Sequence, residues 1–153
     1  MISTPTITRE QTEVILKQLV PFYEALTPQS IDGFDAFYAE DAKFRDPFNQ
    51  VDNLEAIKKI FRHMFVQVND PAFSVRKAIV GEGDAIIFWA FHFRFRGLGC
   101  KTTQCLEGVS HLAFAPDGKV TLHRDYWDAA EELYSRLPVV GTLMRGLQRM
   151  MRA

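Results

Sequence analysis

The sequence predicts one α+β domain in which N-terminal helices cover the concave face of a cone-shaped, curved antiparallel sheet and a C-terminal helical extension follows. Three observations carry this. Apolar residues recur at three- and four-residue spacing up to about Val68, the period changes to two beyond Pro71, and helical spacing returns after Asp128. The 153 residues are enough for a single domain, 1–153, with 129–153 as its extension.

Thr8 with Gln11 three residues later is a capping-box pattern, and Val14, Ile15, Leu19, Phe22, Tyr23 and Leu26 then mark one face of a long helix that Pro21 should kink. Ser30 caps a short second helix, about 31–38, held by Ile31, Phe34 and Phe37 or Tyr38. A brief strand, AKFRD, leads to the most regular helix. Asp52 or Asn53 opens it, Leu54, Ile57, Phe61, Met64, Phe65 and Val68 share its apolar face, and Pro71 lies just past its end. Strands follow at roughly 73–82, 84–96, 101–115 and 119–127. In WAFHFRFR, Trp89, Phe91, Phe93 and Phe95 alternate with His92, Arg94 and Arg96, so an aromatic set points inward and a basic set outward. GEG and GLG read as hairpin turns, and PDGK at 116–119 turns the last hairpin through Gly118. Asp128 with Glu131 caps a third helical region ending near Pro138; Val140, Leu143, Met144, Leu147 and Met151 then mark a final amphipathic helix.

Composition excludes several classes. With 47% apolar and 24% charged residues the chain is neither disordered nor fibrous, and a net charge of −1 removes the generic attraction of a nucleic-acid binder. The first ten residues lack a basic, apolar leader and no uncharged apolar run approaches a membrane span, so a cytoplasmic protein is expected. Cys100 and Cys105 lie five apart, which is neither a zinc nor a redox spacing, and both are expected as reduced thiols. His63, His92, His111 and His123 form no pair with the i, i+4 spacing or nearby carboxylate of a metal site, so no metal is expected, and the expected chemistry calls for no organic cofactor. Ser110 lacks the Gly-x-Ser-x-Gly setting of a nucleophile.

The order of elements, with YAEDAKFRDPF at 38–48 and GKVTLHRDYWD at 118–128, resembles the nuclear transport factor 2 superfamily, in its SnoaL-like and ketosteroid-isomerase-like branch, over roughly residues 10–130. The resemblance implies a cone with an internal cavity and proton-transfer chemistry such as isomerisation, cyclisation or dehydration. It places the proton-moving carboxylate at Asp46, an oxyanion donor at Tyr23, and a second donor at Ser110, where the family's ketosteroid isomerases keep a protonated aspartic acid. A serine hydroxyl is the weaker acid and stabilises an oxyanion less. The Arg and paired Asp of limonene epoxide hydrolases are not assembled: Asp125 matches one carboxylate, but the strand expected to supply the others reads Trp89, Ala90, Phe91.

The residues give each candidate a second reading. Asp46 ends a strand on the side of Phe44, so it either faces the cavity as a poorly hydrated base or closes a turn before Pro47 by accepting backbone N–H bonds. Asp125 shares a strand face with Thr121, His123 and Trp127 and is either a further catalytic contact or a buried acceptor. Tyr23 is either a donor or a core tyrosine. Tyr38, Phe44, Phe61, Trp89, Phe91, Phe93 and Trp127, with Ser110, are the expected ligand-lining residues. The expected function is binding of a small, largely apolar molecule with proton transfer by Asp46; the alternative is a non-catalytic ligand-binding or interaction module. A homodimer is expected through the outer sheet face. The final helix carries Arg136, Arg145, Arg149 and Arg152 and no acid, and its apolar face is expected to dock on the domain or a partner subunit rather than on a membrane.

Overall fold

Thr8 opens the first helix by the reciprocal cap: its hydroxyl accepts the Gln11 N–H at 3.2 Å, and the Gln11 side chain accepts the Thr8 N–H at 2.8 Å. In the computed structural model, which describes residues 6–96, 101–132 and 138–152, this helix, α1, spans Arg9–Glu24. It buries Thr12, Leu16, Leu19 and Tyr23, so the covered stripe is displaced from the expected one and Val14 is left exposed. Pro21 falls in the last turn, where the Ala25 N–H still closes on its carbonyl at 3.0 Å.

The second helical segment is a 3-10 helix, Ile31–Ala36, shorter than expected, because Tyr38 already belongs to strand β1, Tyr38–Arg45. The two-residue β2, Gln50–Val51, was not foreseen. Helix α2, Leu54–Gln67, is capped by Asn53, whose side chain accepts the Ala56 N–H at 2.9 Å. Its Lys58 is buried and reaches Asp35 at 2.6 Å and Glu55 at 3.0 Å, tying α2 to the 3-10 segment. Donation of its ammonium N–H to the Asp35 carboxylate raises the Lys58 pKa above its ordinary value.

Four long strands follow: β3 Val68–Val80, β4 Asp84–Phe95, β5 Gln104–Phe114 and β6 Val120–Tyr126. Strand β3 begins at Val68, before Pro71, since a register shift between Asn69 and Ala72, with Asp70 at φ +50°, carries the proline as an irregularity; Arg94 of β4 pairs with Asp70 there. The sheet order is β2-β1-β6-β5-β4-β3. One pairing departs from the expected antiparallel sheet: β1 runs parallel to β6, because the chain traverses α2 and four strands, β2 to β5, before β6 returns beside β1. Gly118 takes φ +85° in the PDGK turn as expected. Helices α3, Ala129–Glu132, and α4, Pro138–Met151, follow. Cys100, the turn expected at 97–99 and residues 133–137 lie outside the described residues. Among those described, no helix is long and apolar enough to cross a membrane.

Helices α1 and α2 pack on the sheet face that carries Ile87, Trp89, Phe91 and Phe93 of β4 and Leu106, Ser110, Leu112 and Phe114 of β5, all buried. On the opposite face Arg76 of β3 and Glu107 of β5 pair across β4, and Ile79, Phe88 and Tyr126 are exposed. Gly108 sits opposite Trp89, and a Cβ there would collide with the indole. Gly108→Ala is expected to lower stability by about 1–3 kcal/mol through overpacking. A urea midpoint shift at constant m measures this; an unchanged midpoint means the indole moves freely.

Candidate functional site

Strand alternation places His123 and Asp125, two residues apart on β6, on the face that looks toward the helices. Register then supplies their neighbours. Phe44 of β1 and Leu112 of β5 flank His123, and Ser110 of β5 lies directly across from Asp125. Tyr38 enters from the start of β1 and Tyr23 from the last turn of α1. The result is one chain of hydrogen bonds: Tyr23 Oη to Tyr38 Oη at 2.5 Å, Tyr38 Oη to His123 Nδ1 at 2.6 Å, and His123 Nε2 to Asp125 Oδ1 at 2.8 Å. A second branch meets the same oxygen: Trp89 Nε1 donates to Ser110 Oγ at 2.8 Å, and Ser110 donates to Asp125 Oδ1. Asp125 Oδ2 has no hydrogen bond among the described residues.

Counting donors assigns the protons. With Asp125 ionised, the Nε2–H tautomer of His123 donates to it, Nδ1 accepts from Tyr38, and Tyr38 accepts from Tyr23. Burial pushes the Tyr23 and Tyr38 hydroxyls well above the ordinary tyrosine range, with the nearby Asp125 charge acting in the same direction, so both remain protonated.

Above this chain lies a hollow walled by Tyr23, Phe61, Phe73, Trp89, Ser110 and Asp125, among others. Its cavity volume is about 40 Å³, room for about three water molecules. Asp125 also lines a wider groove at the sheet rim with Arg45, Asp46, Arg124 and Trp127, so it stands between the interior and the surface.

Several expected site residues are elsewhere. Asp46 is not at the hollow: its Oδ1 accepts the Phe48 N–H at 2.7 Å and the Asn49 N–H at 2.6 Å, and the Asn49 amide holds both carboxylate oxygens. The turn reading therefore holds, since the residue before Pro47 finds its acceptor duty in the next two peptide groups. Trp127 packs edge-on against Phe48 at the rim, 5.4 Å between centroids. Phe91 stacks between Phe73 and Phe93 as wall packing, and Phe44 backs His123 at 5.0 Å, so none of Phe44, Phe91 and Phe93 faces the hollow directly. Tyr38 lies one layer behind Tyr23. Tyr23, Phe61, Trp89, Ser110 and Asp125 do meet there. The residue missed is His123, and its signal was the His-x-Asp spacing on a strand, which puts both side chains on one face. Among the described residues no group of three or more metal-ligating side chains occurs.

The sheet order and the helices over one face define an NTF2-like fold. The chain belongs to the SnoaL-like domain family, whose profile matches residues 20–123. No curated protein sequence matches it significantly. Solved structures similar to it include an NTF2-like protein of unknown function from Exiguobacterium sp. 255-15 (14% identity, TM-score 0.63, covering 74% of this chain and 98% of that one). A hypothetical protein with a ketosteroid-isomerase-like fold from Catenulispora acidiphila, in complex with trimethylamine, shares 14% identity at TM-score 0.65, over 78% of this chain and 88% of its own. An LEH-like epoxide hydrolase from M. tuberculosis shares 15% identity at TM-score 0.62, over 92% and 95%.

The raised tyrosine pKa values have a stability consequence. A hydroxyl that ionises less readily folded than unfolded contributes fully below about pH 10, the unfolded value, and that contribution is lost as pH rises beyond it. Tyrosinate absorbance from these two residues should appear only together with loss of circular dichroism on alkaline titration. Tyr23→Phe/Tyr38→Phe should lack that coincident component; its persistence would assign it to other tyrosines.

Proposed function

We propose that the hollow takes a small, largely apolar molecule and that Asp125 exchanges a proton with it. One observation carries this reading: a single carboxylate lines an otherwise largely apolar hollow, with one oxygen held by Ser110 and His123 and the other without a hydrogen bond among the described residues. A base so placed is positioned by its neighbours yet keeps a free lone pair for a substrate C–H. Guests larger than a few heavy atoms enter by displacing Phe73 and Val75, which are half-buried on β3.

While Asp125 is ionised, the Nε2–H of His123 and the Ser110 hydroxyl donate to its Oδ1, and the Tyr38 and Tyr23 hydroxyl protons point toward it along the chain. Oδ2 takes the substrate proton and returns it to a second substrate atom as the carboxyl reverts to the carboxylate. Isomerisation, cyclisation and dehydration through an enol share this step. The epoxide hydrolase among the structural neighbours suggests water activation instead, but the hollow has no arginine among its described lining residues, which favours the enol reading.

A panel of small apolar carbonyl compounds screened by thermal shift identifies binders, since a ligand of the native state alone raises the melting temperature. With a binder, exchange of its α-hydrogen in D2O reports proton abstraction. Asp125→Asn is expected to slow this exchange by about 10²–10⁴-fold with the thermal shift retained, and Asp46→Asn to change neither. Exchange undiminished in Asp125→Asn rejects the base; binders that undergo no exchange in the native chain establish a non-catalytic module.

We further propose that the outer sheet face pairs two copies, on the strength of the exposed Ile79, Phe88 and Tyr126 there. Light scattering should give a dimer, and Ile79→Arg/Phe88→Arg a monomer. A native chain that is monomeric at every concentration overturns it.

A further inference from the structure

The apolar face of α4, expected to dock on the domain or on a partner subunit, is not covered by the domain. Leu143 is 63% exposed, Leu147 45%, Met150 82% and Met151 87%. At 3.6 residues per turn these four fall within an arc of about 100°, and Arg145, Arg149 and Arg152 fall within about 60° on the opposite side. The helix is thus divided into an apolar half and a polar half whose charges are all positive. Beyond residue 135 lie four of the chain's eighteen Lys and Arg and none of its nineteen Asp and Glu, so the remainder is net acidic while this segment carries +4.

We propose that α4 is an interfacial helix that lies on an anionic lipid surface, its Leu and Met side chains among the acyl chains and its arginines at the headgroups. Uninterrupted positive charge opposite an exposed apolar stripe is the pattern that such surfaces select, because the stripe supplies burial and the arginines supply attraction to acidic headgroups. A second copy of α4 seated on the apolar arc would turn both sets of arginines outward with no counter-charge, whereas an anionic lipid surface accepts the apolar arc and attracts the arginines at once. Met and Leu, flexible and unbranched at Cβ, suit a fluid interface, and the 14 residues of α4 are too few to span it.

Flotation of the full chain with vesicles tests this. Binding is expected to phosphatidylcholine vesicles containing roughly one third phosphatidylglycerol, to be weak or absent with phosphatidylcholine alone, and to fall with added salt. Each Arg→Gln change among Arg145, Arg149 and Arg152 should weaken binding roughly fivefold, and Leu143→Glu/Leu147→Glu by roughly tenfold or more per leucine. Unchanged thermal melting of these variants shows that the domain is intact. Failure of the native chain to float with anionic vesicles at low salt, or equal binding to neutral vesicles, overturns the proposal. So does a Leu143→Glu/Leu147→Glu variant that still floats, or one that merely dissociates a lipid-free oligomer in sedimentation, which assigns the face to a second copy. The test is independent of the hollow, because Asp125→Asn should bind vesicles as the native chain does.

Discussion

The buried line of hydrogen bonds from Tyr23 through Tyr38 and His123 to Asp125 constrains more of this molecule than any other set of contacts. Its members come from α1, β1 and β6, and the branch through Ser110 and Trp89 adds β5 and β4. Each is a polar group removed from water, and a member deprived of its partner costs about 1–3 kcal/mol. The rotation of α1, the parallel pairing of β1 with β6 and the register of β5 on β6 must therefore all agree to within a hydrogen-bond length. They do: no buried side-chain nitrogen or oxygen among the described residues lacks a partner.

Two aspartates illustrate how environment divides roles between identical side chains. Asp46 ends β1 where the chain turns at Pro47, and the turn's own N–H groups absorb its carboxylate. Asp125 stands near the end of β6, where Ser110 of β5 and His123 of its own strand donate to one oxygen and leave the other toward a largely apolar space. The indole that supports this arrangement needs Gly108 beneath it, so a missing side chain on β5 is as much a part of the site as the residues that line it. A residue that orients through a backbone vacancy has no chemical signature of its own.

Outside the hollow, charge and apolar surface are segregated. The outer sheet face mixes exposed Ile79, Phe88 and Tyr126 with cross-strand ion pairs, a surface suited to a self-complementary contact. Helix α4 instead sets all its charge of one sign against all its apolar bulk. The two surfaces have different physical character, and a net charge of −1 for the whole chain conceals this completely.

The sequence by itself determined the helix cap at Thr8, a second cap at Asp52 or Asn53, the change from helical to alternating period, the PDGK turn and the inward aromatic set of β4, because caps, turns and periodicity are written in residues a few positions apart. The α+β class followed from these, while the resemblance to the family rested on the motifs at 38–48 and 118–128 with the order of elements. Tertiary structure alone decided that Val14 is exposed, that β1 lies parallel beside β6, that Asp46 serves a turn, and that His123 joins Tyr38 from 85 residues away. Alternation said which face each strand residue takes, but not which residue of another strand stands opposite, since that depends on register and on where bulges fall. A catalytic candidate read from one strand therefore had the right face and, for Asp46, the wrong neighbours.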